Sequence, residues 1–448
     1  MNTNKLLDPI TPGEILREDF RDQLGIGINK LSRDLSVPLN RIGEIVNGKR
    51  AIKDNHMPSL DLLLRIVRSL SCSAGRRPSI LLTISVILIL SILGGCGPST
   101  MDLQAVKCTP LVRDDWKVST PAEQGLDPML VAELYYNAAK LETIYGLLVI
   151  KNDHLIAERY FNKGSLEQKA RLQSATKSYT SALVGIALDQ GYLSSVDQKM
   201  LDFFPEIAGK ITDPRKKQIT IRHLLQMRAG YPWEETDSAL WGGLLSGHYL
   251  PLIEEFPLVS DPGTMFHYSN LTSNWLGIIV ARACGTDLKS YAEQNLFKPI
   301  DAQVGDWGRD RDGHNNGCGD LHFTARDAAK FGLLYLNDGK MEGKQIISAD
   351  WVHDSLQTYS VNEFAVKRVG RFHDIGYGYQ WWSARAGEHH VNFAWGHGGQ
   401  LIVLLDDLDM IVVVTADPFY LEHNDQSWKH EKANIKLVGK FIYSLPKK

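Results

Sequence analysis

The 448-residue sequence predicts an α/β chain of the α+β kind: an antiparallel sheet closed by both ends of a large C-terminal domain, with flanking helices and an inserted helical lobe, preceded by a small all-α unit. Three observations predict it. Strand-like runs at 145–150 and 155–161 lie on either side of Asn152-Asp153, a pair that favours a hairpin. Strands return near the other end, at 401–405 and 410–415, around the acidic turn Asp406-Asp407. Between them, 221–226, 276–283 and 325–336 carry a helical period. An amphipathic helix over 127–141 precedes the first strand, and a last helix over 433–443 follows the final one. No internal repeat interrupts this order.

The length exceeds one typical domain, and apolar and charged fractions of 44% and 23% suit a chain with a sizeable core. A net charge of −3 gives no polyanion-binding signal for the whole chain, although Lys and Arg outnumber Asp and Glu by 13 to 9 in the first 77 residues. Five cysteines (Cys72, Cys96, Cys108, Cys284, Cys318) show neither C-x-x-C spacing nor a disulfide framework, and no zinc site or other cofactor is called for.

Residues 1–70 read as a helical unit. A short helix over 29–35, a turn at Ser36-Val37, a second helix started by Pro38 and a stop at Asn47-Gly48 match a helix-turn-helix. Asn40, Arg41 and Glu44 would face outward on the second helix, and Lys49-Arg50 would meet phosphate, so DNA is a partner through this unit only. A helical bundle with no DNA role fits the same pattern. The runs Pro12-Gly13-Glu14-Ile15-Leu16-Arg17-Glu18, Leu31-Ser32 and Ile42-Gly43-Glu44-Ile45-Val46-Asn47-Gly48-Lys49-Arg50 resemble HigA-type antitoxins of the Xre-like class over residues 8–70, in truncated form.

Arg76-Arg77, an apolar run over 80–93 and the ending Leu93-Gly94-Gly95-Cys96 describe a bacterial export signal. The run is shorter than the roughly 20 residues of a membrane-spanning helix. Its ending is similar to a lipoprotein cleavage site, which implies lipidation of Cys96, a membrane anchor and a location on the periplasmic or outer-surface side. The expected organisation is therefore 1–70 DNA-binding-like, 71–96 signal or membrane segment, 97–117 tether and 118–448 globular domain. An export signal behind a DNA-binding unit implies either a fused reading frame or a start downstream of Met1, with Met57 one candidate. If the chain stays uncleaved, the basic residues before the run hold the first unit in the cytoplasm. The globular domain lies outside in either case.

The stretch Ser174-Ala175-Thr176-Lys177 opens an apolar helical run that ends near Gly191, placing an amine one turn above a hydroxyl. A lysine in a dry pocket can lose its proton and activate such a serine, and a positive helix end favours the oxyanion of acyl transfer. Ser-x-x-Lys alone is loose, and Ser444 to Lys447 also matches. The second pattern is Tyr268-Ser269-Asn270, after Asp261-Pro262-Gly263; Tyr-x-Asn also recurs at Tyr135, Tyr160 and Tyr335, so order and context select it. The third is His397-Gly398-Gly399-Gln400, where two glycines let backbone approach a ligand closely.

In this order the three motifs resemble the serine β-lactamase and penicillin-binding-protein superfamily over residues 118–445, nearest to class C-like hydrolases and esterases. Flanking text agrees: Ile219-Thr220-Ile221-Arg222-His223-Leu224-Leu225, Thr324-Ala325-Arg326-Asp327 and Tyr377-Gly378-Tyr379-Gln380-Trp381-Trp382. The resemblance implies a β-lactamase-like fold and an ester, amide or peptide-like small-molecule substrate. It makes Ser174 the nucleophile, Lys177 its base, Tyr268 the proton shuttle and Asn270 the group that orients Lys177 and the substrate. It puts the oxyanion hole at the N–H groups of Ser174 and Gln400, and His397 where the family carries a lysine, which argues against penicillinase activity. A sensing domain that acylates without turnover is the alternative, as is a membrane-tethered DNA-binding regulator. Gln226-Met227-Arg228 departs from the family's hydroxyl-rich run. His389-His390 reads as a solvated loop, Trp381-Trp382 as sheet packing or a stacking surface, Cys284 and Cys318 as buried fillers, and Arg326-Asp327 as a helix cap.

Overall fold

The computed structural model describes residues 98–236, 238–420 and 427–447. The helix-turn-helix expectation, with Asn40, Arg41, Glu44, Lys49 and Arg50, and the signal ending in Cys96 lie outside the described residues.

The elements that frame the site are helix α1 (Pro128–Ala138), strands β1 (Ile144–Lys151) and β2 (His154–Tyr160), and helices α2 (Thr176–Asp189), α3 (Ile221–Leu225), α4 (Asn270–Cys284) and α5 (Ala325–Leu336). Strands β3 (Phe372–Tyr377), β4 (Trp382–Ala386), β5 (His389–Gly396), β6 (Gln400–Leu405) and β7 (Met410–Ala416) follow, then helix α6 (Ser427–Tyr443). The strands form one antiparallel sheet in the order β2-β1-β7-β6-β5-β4-β3, extended beyond β3 by Ser360–Val361 and Arg368–Val369. Near the β2 edge β1 pairs with β7, where Leu148 faces Val413 and Ile150 faces Ile411, so early and late parts of the domain close the sheet together. The β1–β2 hairpin turns through Asn152 and Asp153 with φ of 49° and 61°, the left-handed pair such a turn needs.

Both faces of the sheet are covered, and strand alternation divides the core in two. Leu148, Ile150, Ile402, Leu404, Ile411 and Val413 pack with Tyr179 and Leu183 of α2, Leu271 and Trp275 of α4 and Phe331 of α5. Leu147, Val149, Val403, Leu405, Val412 and Val414 pack with Val131 and Tyr135 of α1 and Ile435, Val438 and Phe441 of α6. Strands buried on both sides read as unbroken apolar runs, which is why β6 and β7 stand out in the sequence.

Three strands, β3 to β5, lie where the sequence reading placed none. They mix aromatic, polar and small residues, as in Trp-Ser-Ala-Arg-Ala of β4, and lack a long apolar run. The solvated-loop expectation for His389-His390 is corrected here: both lie in β5, and His389 is buried with Nδ1 2.7 Å from Asp407 Oδ2. Trp381 packs on Phe331 and Tyr335, while Trp382 stacks on Tyr268. The capping expectation is half right. Thr324 caps α5 by accepting the Asp327 N–H, but Arg326 is a buried cation that donates to Glu158 and Asp115.

Candidate active site

Ser174 sits in a 3-10 turn, Gln173–Ala175, that runs straight into α2. Gln173 just before it holds φ of +52°, a left-handed conformation that costs a non-glycine residue energy. The turn is fixed from below. Leu172 N–H donates to the Leu321 carbonyl, Thr176 Oγ1 accepts from Leu321 N, and Ser178 Oγ donates to the Gln380 carbonyl at 2.7 Å. Gln380 in turn bonds Ser273 of α4 and the Leu224 and Leu225 carbonyls at the end of α3, stapling three helices around the serine. Nothing local in the sequence marks Gln380 for this role, because its side-chain partners lie more than 100 residues away.

Lys177, 1% exposed, directs Nζ at three acceptors: Ser174 Oγ and Asn270 Oδ1, both at 2.9 Å, and the Cys318 carbonyl at 3.0 Å. Tyr268 borders the cluster, its ring centroid 4.9 Å from Lys177 Nζ, and its hydroxyl interacts electrostatically with Lys177 and Ser174. Burial disfavours the lysine's charge, but Tyr268 and Cys318, with Glu235, favour it and prevail, so the Lys177 pKa lies above its ordinary value. Burial also raises the Tyr268 hydroxyl, against the pull of Lys177 and Ser174. The three acceptors match the three N–H donors of an ammonium.

Asn270 is the first residue of α4 and is held at both ends of its amide, with Nδ2 donating to Glu235 Oε1 at 3.0 Å. Behind it the fully buried Glu234 carboxyl accepts from Ser269 Oγ, Asn270 N and Leu271 N at a helix N-terminus, burial pushing its pKa up against these hydrogen bonds. Neither glutamate was singled out from sequence, since nothing in Trp233-Glu234-Glu235 carries the signal. Met227, in the Gln226-Met227-Arg228 run, has φ of +57° and accepts the His267 N–H through its carbonyl, aligning the segment that leads to Tyr268. Cys318 is partly exposed as a residue but its thiol is enclosed, and that burial pushes the pKa up to about 11, while its carbonyl is what the site uses.

The third motif forms the turn between β5 and β6, and a Cβ on Gly396 would stand 2.1 Å from the carbonyl of Leu172, two residues before Ser174. Gly398 and Gly399 have φ of +81° and +86°. The Gln400 side chain is committed to the sheet, bonding both the N–H and the carbonyl of Ala416. His397 is 43% exposed at its side chain, with Nδ1 2.9 Å from Glu431 Oε2. Beside Tyr268 a cleft of about 270 Å³ is lined by Trp233, Phe266, His267, Glu363 and Phe364. Among the described residues no group of three or more His, Cys, Asp or Glu gathers as a metal site.

A family model described as Beta-lactamase matches residues 143–435. Beta-lactamase-like protein 2 of Dictyostelium discoideum is 22% identical over 258 residues, which are 49% of this chain and 46% of that protein. The 6-aminohexanoate-dimer hydrolase of Paenarthrobacter ureafaciens is 26% identical over 274 residues, 57% of this chain and 68% of that one. The chain thus spans about half the length of the first relative and two thirds of the second. The solved structure of EstCE1, a hydrolase with promiscuous acyltransferase activity, shares the fold with a TM-score of 0.57 at 16% identity, covering 70% of this chain and 98% of that one. With a family model that spans most of the chain and a sheet, helices and serine–lysine cluster arranged around it, this protein belongs to the Beta-lactamase family.

Proposed function

We propose that this chain is a serine hydrolase that cleaves an ester or amide through an acyl-enzyme on Ser174. The observation that carries the reading is the 2.9 Å hydrogen bond from Lys177 Nζ to Ser174 Oγ, inside a buried cluster bordered by Tyr268. Lys177 and Tyr268 work as one proton-holding pair. After losing one proton the pair takes the Ser174 hydroxyl proton as Oγ bonds the substrate carbonyl carbon. The carbonyl oxygen becomes an oxyanion that accepts from the main-chain N–H groups of Ser174 and Gln400. Its collapse breaks the bond to the leaving group, which receives the proton through Tyr268. Water then gives Tyr268 a proton as its oxygen bonds the acyl carbon, and the pair returns that proton to Ser174 Oγ as the acyl carbon–Oγ bond breaks. Asn270 keeps Lys177 aligned throughout.

His397 backed by Glu431 makes a poor partner for a substrate carboxylate, which favours neutral esters and amides over penicillins. The aromatic cleft beside Tyr268 suits an apolar substituent. The name of the 6-aminohexanoate-dimer hydrolase supports amide cleavage, and the description of EstCE1 as a hydrolase with promiscuous acyltransferase activity fits an acyl-enzyme. A fluorophosphonate probe should label the wild-type chain and leave Ser174→Ala unlabelled, with hydrolysis of p-nitrophenyl butyrate lost in parallel. Undiminished turnover in Ser174→Ala would sink the assignment, and one burst of product without turnover would make the domain a sensor.

Export and lipid anchoring at Cys96 are proposed on the sequence of residues 76–96 alone.

A further inference from the structure

Helix α6 packs behind the 397–400 turn, and one of its acidic side chains gathers the polar groups of that turn. Glu431, 4% exposed, accepts the Trp395 Nε1–H at 2.7 Å through Oε1 and the Gly398 N–H at 2.9 Å through Oε2. The same Oε2 lies 2.9 Å from His397 Nδ1. Three positions along the helix, Asn434 Nδ2 donates to the Gly398 carbonyl at 3.0 Å and to Thr143 Oγ1 at 3.2 Å. One helix thus holds both polar groups of Gly398. A Cβ on Gly399 would stand 2.7 Å from Asn434 Cβ, so the turn lies as near the helix as glycine permits.

We propose that Glu431 is a positioning residue for the reaction: it fixes the His397 ring and the turn leading to the Gln400 N–H, and its charge disfavours an anionic substrate group at His397. The inference rests on the reading of Ser174 as the acylated residue. Trp395 and Gly398 present donors to Glu431, and His397 Nδ1 faces it as a third donor, so an acceptor-only carboxylate fits where an amide, with one acceptor and one donor end, leaves a donor unmatched. In either protonation state of the imidazole, the Glu431–His397 unit carries one positive charge fewer than the histidine would alone. Glu431→Gln therefore makes the local charge more positive by one.

The test compares two esters on the full-length chain: 4-(methoxycarbonyl)phenyl butyrate, which is neutral, and 4-carboxyphenyl butyrate, which carries a carboxylate on the same leaving group. Glu431→Gln should lower kcat on the neutral ester by about tenfold, as loss of an orienting partner does, with little change in KM. It should also shift the ratio of anionic to neutral kcat/KM several-fold toward the anion. Glu431→Asp keeps the charge but retracts it, so it should lower kcat and leave the ratio as in wild type. Equal losses on both esters in Glu431→Gln would mean a merely structural role and overturn the inference, as would full kcat in Glu431→Asp. If the first variant does not fold, full kcat in Glu431→Asp still overturns the inference. A parent chain that neither cleaves the neutral ester nor labels at Ser174 removes the underlying reading, and this inference with it.

Discussion

Lys177 and Tyr268 hold their protons more tightly than their free side chains would, and this fixes the sign of the pH dependence. The pair must be short of one proton before it can accept one from Ser174, and both raised pKa values move that loss to higher pH. Because the two groups are coupled, the step belongs to the pair rather than to either residue. The expected outcome is a kcat/KM for p-nitrophenyl butyrate that climbs with pH from neutrality into the alkaline range, after correction for spontaneous hydrolysis. A profile flat from neutrality upward would mean that the pair is already singly deprotonated. Lys177→Ala should cost on the order of a thousandfold in kcat/KM, because one member of a concerted unit carries most of its effect. Steady-state kinetics on protein with an unchanged melting transition checks this.

At the scale of the element, α4 is held at its start by a carboxylate from a different segment. Glu234 accepts from the Ser269 hydroxyl and from the N–H groups of Asn270 and Leu271, so it sets where the helix begins and hence where Asn270 meets Lys177. Glu234→Gln replaces an acceptor with a donor at one oxygen. It should lower stability by about 1–3 kcal/mol through an unmatched buried group, and kcat should fall with it. Urea denaturation and ester hydrolysis on the same preparation check both. The sequence places the helix only over 276–283, while the structure starts it at Asn270 with Ser269 as a local N-cap that accepts the Thr272 N–H. The apolar period becomes visible past the polar first turns, and the carboxylate that stabilises those turns sits 36 residues upstream of Asn270. For α5 the cap residue Thr324 is adjacent in sequence, and expectation and structure agree on 325–336.

At the scale of the molecule, Arg326 ties α5 to strand β2 and to the segment ahead of the domain. It donates to both Glu158 carboxylate oxygens, to Asp115 and to the Leu111 carbonyl. Its positive charge and hydrogen bonds hold the Glu158 carboxyl below its ordinary pKa against the opposing effect of burial. Arg326→Leu leaves Glu158 as an uncompensated buried charge and should cost about 3–5 kcal/mol, read as a lowered urea midpoint. Replacing Arg326 and Glu158 together by apolar residues should recover much of that loss. The lipoprotein proposal is also tested on the whole chain. Cys96→Ser should leave a heavier, unprocessed precursor in the producing cell, whereas wild type should fractionate with membranes, since two or more acyl chains at about 0.8 kcal/mol per buried methylene anchor stably. Wild-type chain found wholly in the soluble fraction would defeat it.

The sequence by itself determined the β1–β2 hairpin, the paired strands β6 and β7, the helices α1, α2 and α5, and the residues Ser174, Lys177, Tyr268 and Asn270 as one candidate set. The hairpin, strands and helices rest on local chemistry, a left-handed Asn-Asp turn, an unbroken apolar run or a helical period, while the four residues were joined as one set by motif order and by the resemblance to the serine β-lactamase superfamily. Only the tertiary structure decided what surrounds them. The three acceptors on Lys177 come from residues 3, 93 and 141 positions away, and Glu234, Gln380 and Glu431 act through partners that the chain brings together by folding. Strands β3 to β5 and the burial of His389 were hidden for the same reason: their pairing is supplied by neighbouring strands, not by a pattern of their own. Local periodicity is written in adjacent residues, whereas the protonation state of a buried amine depends on every dipole folded against it.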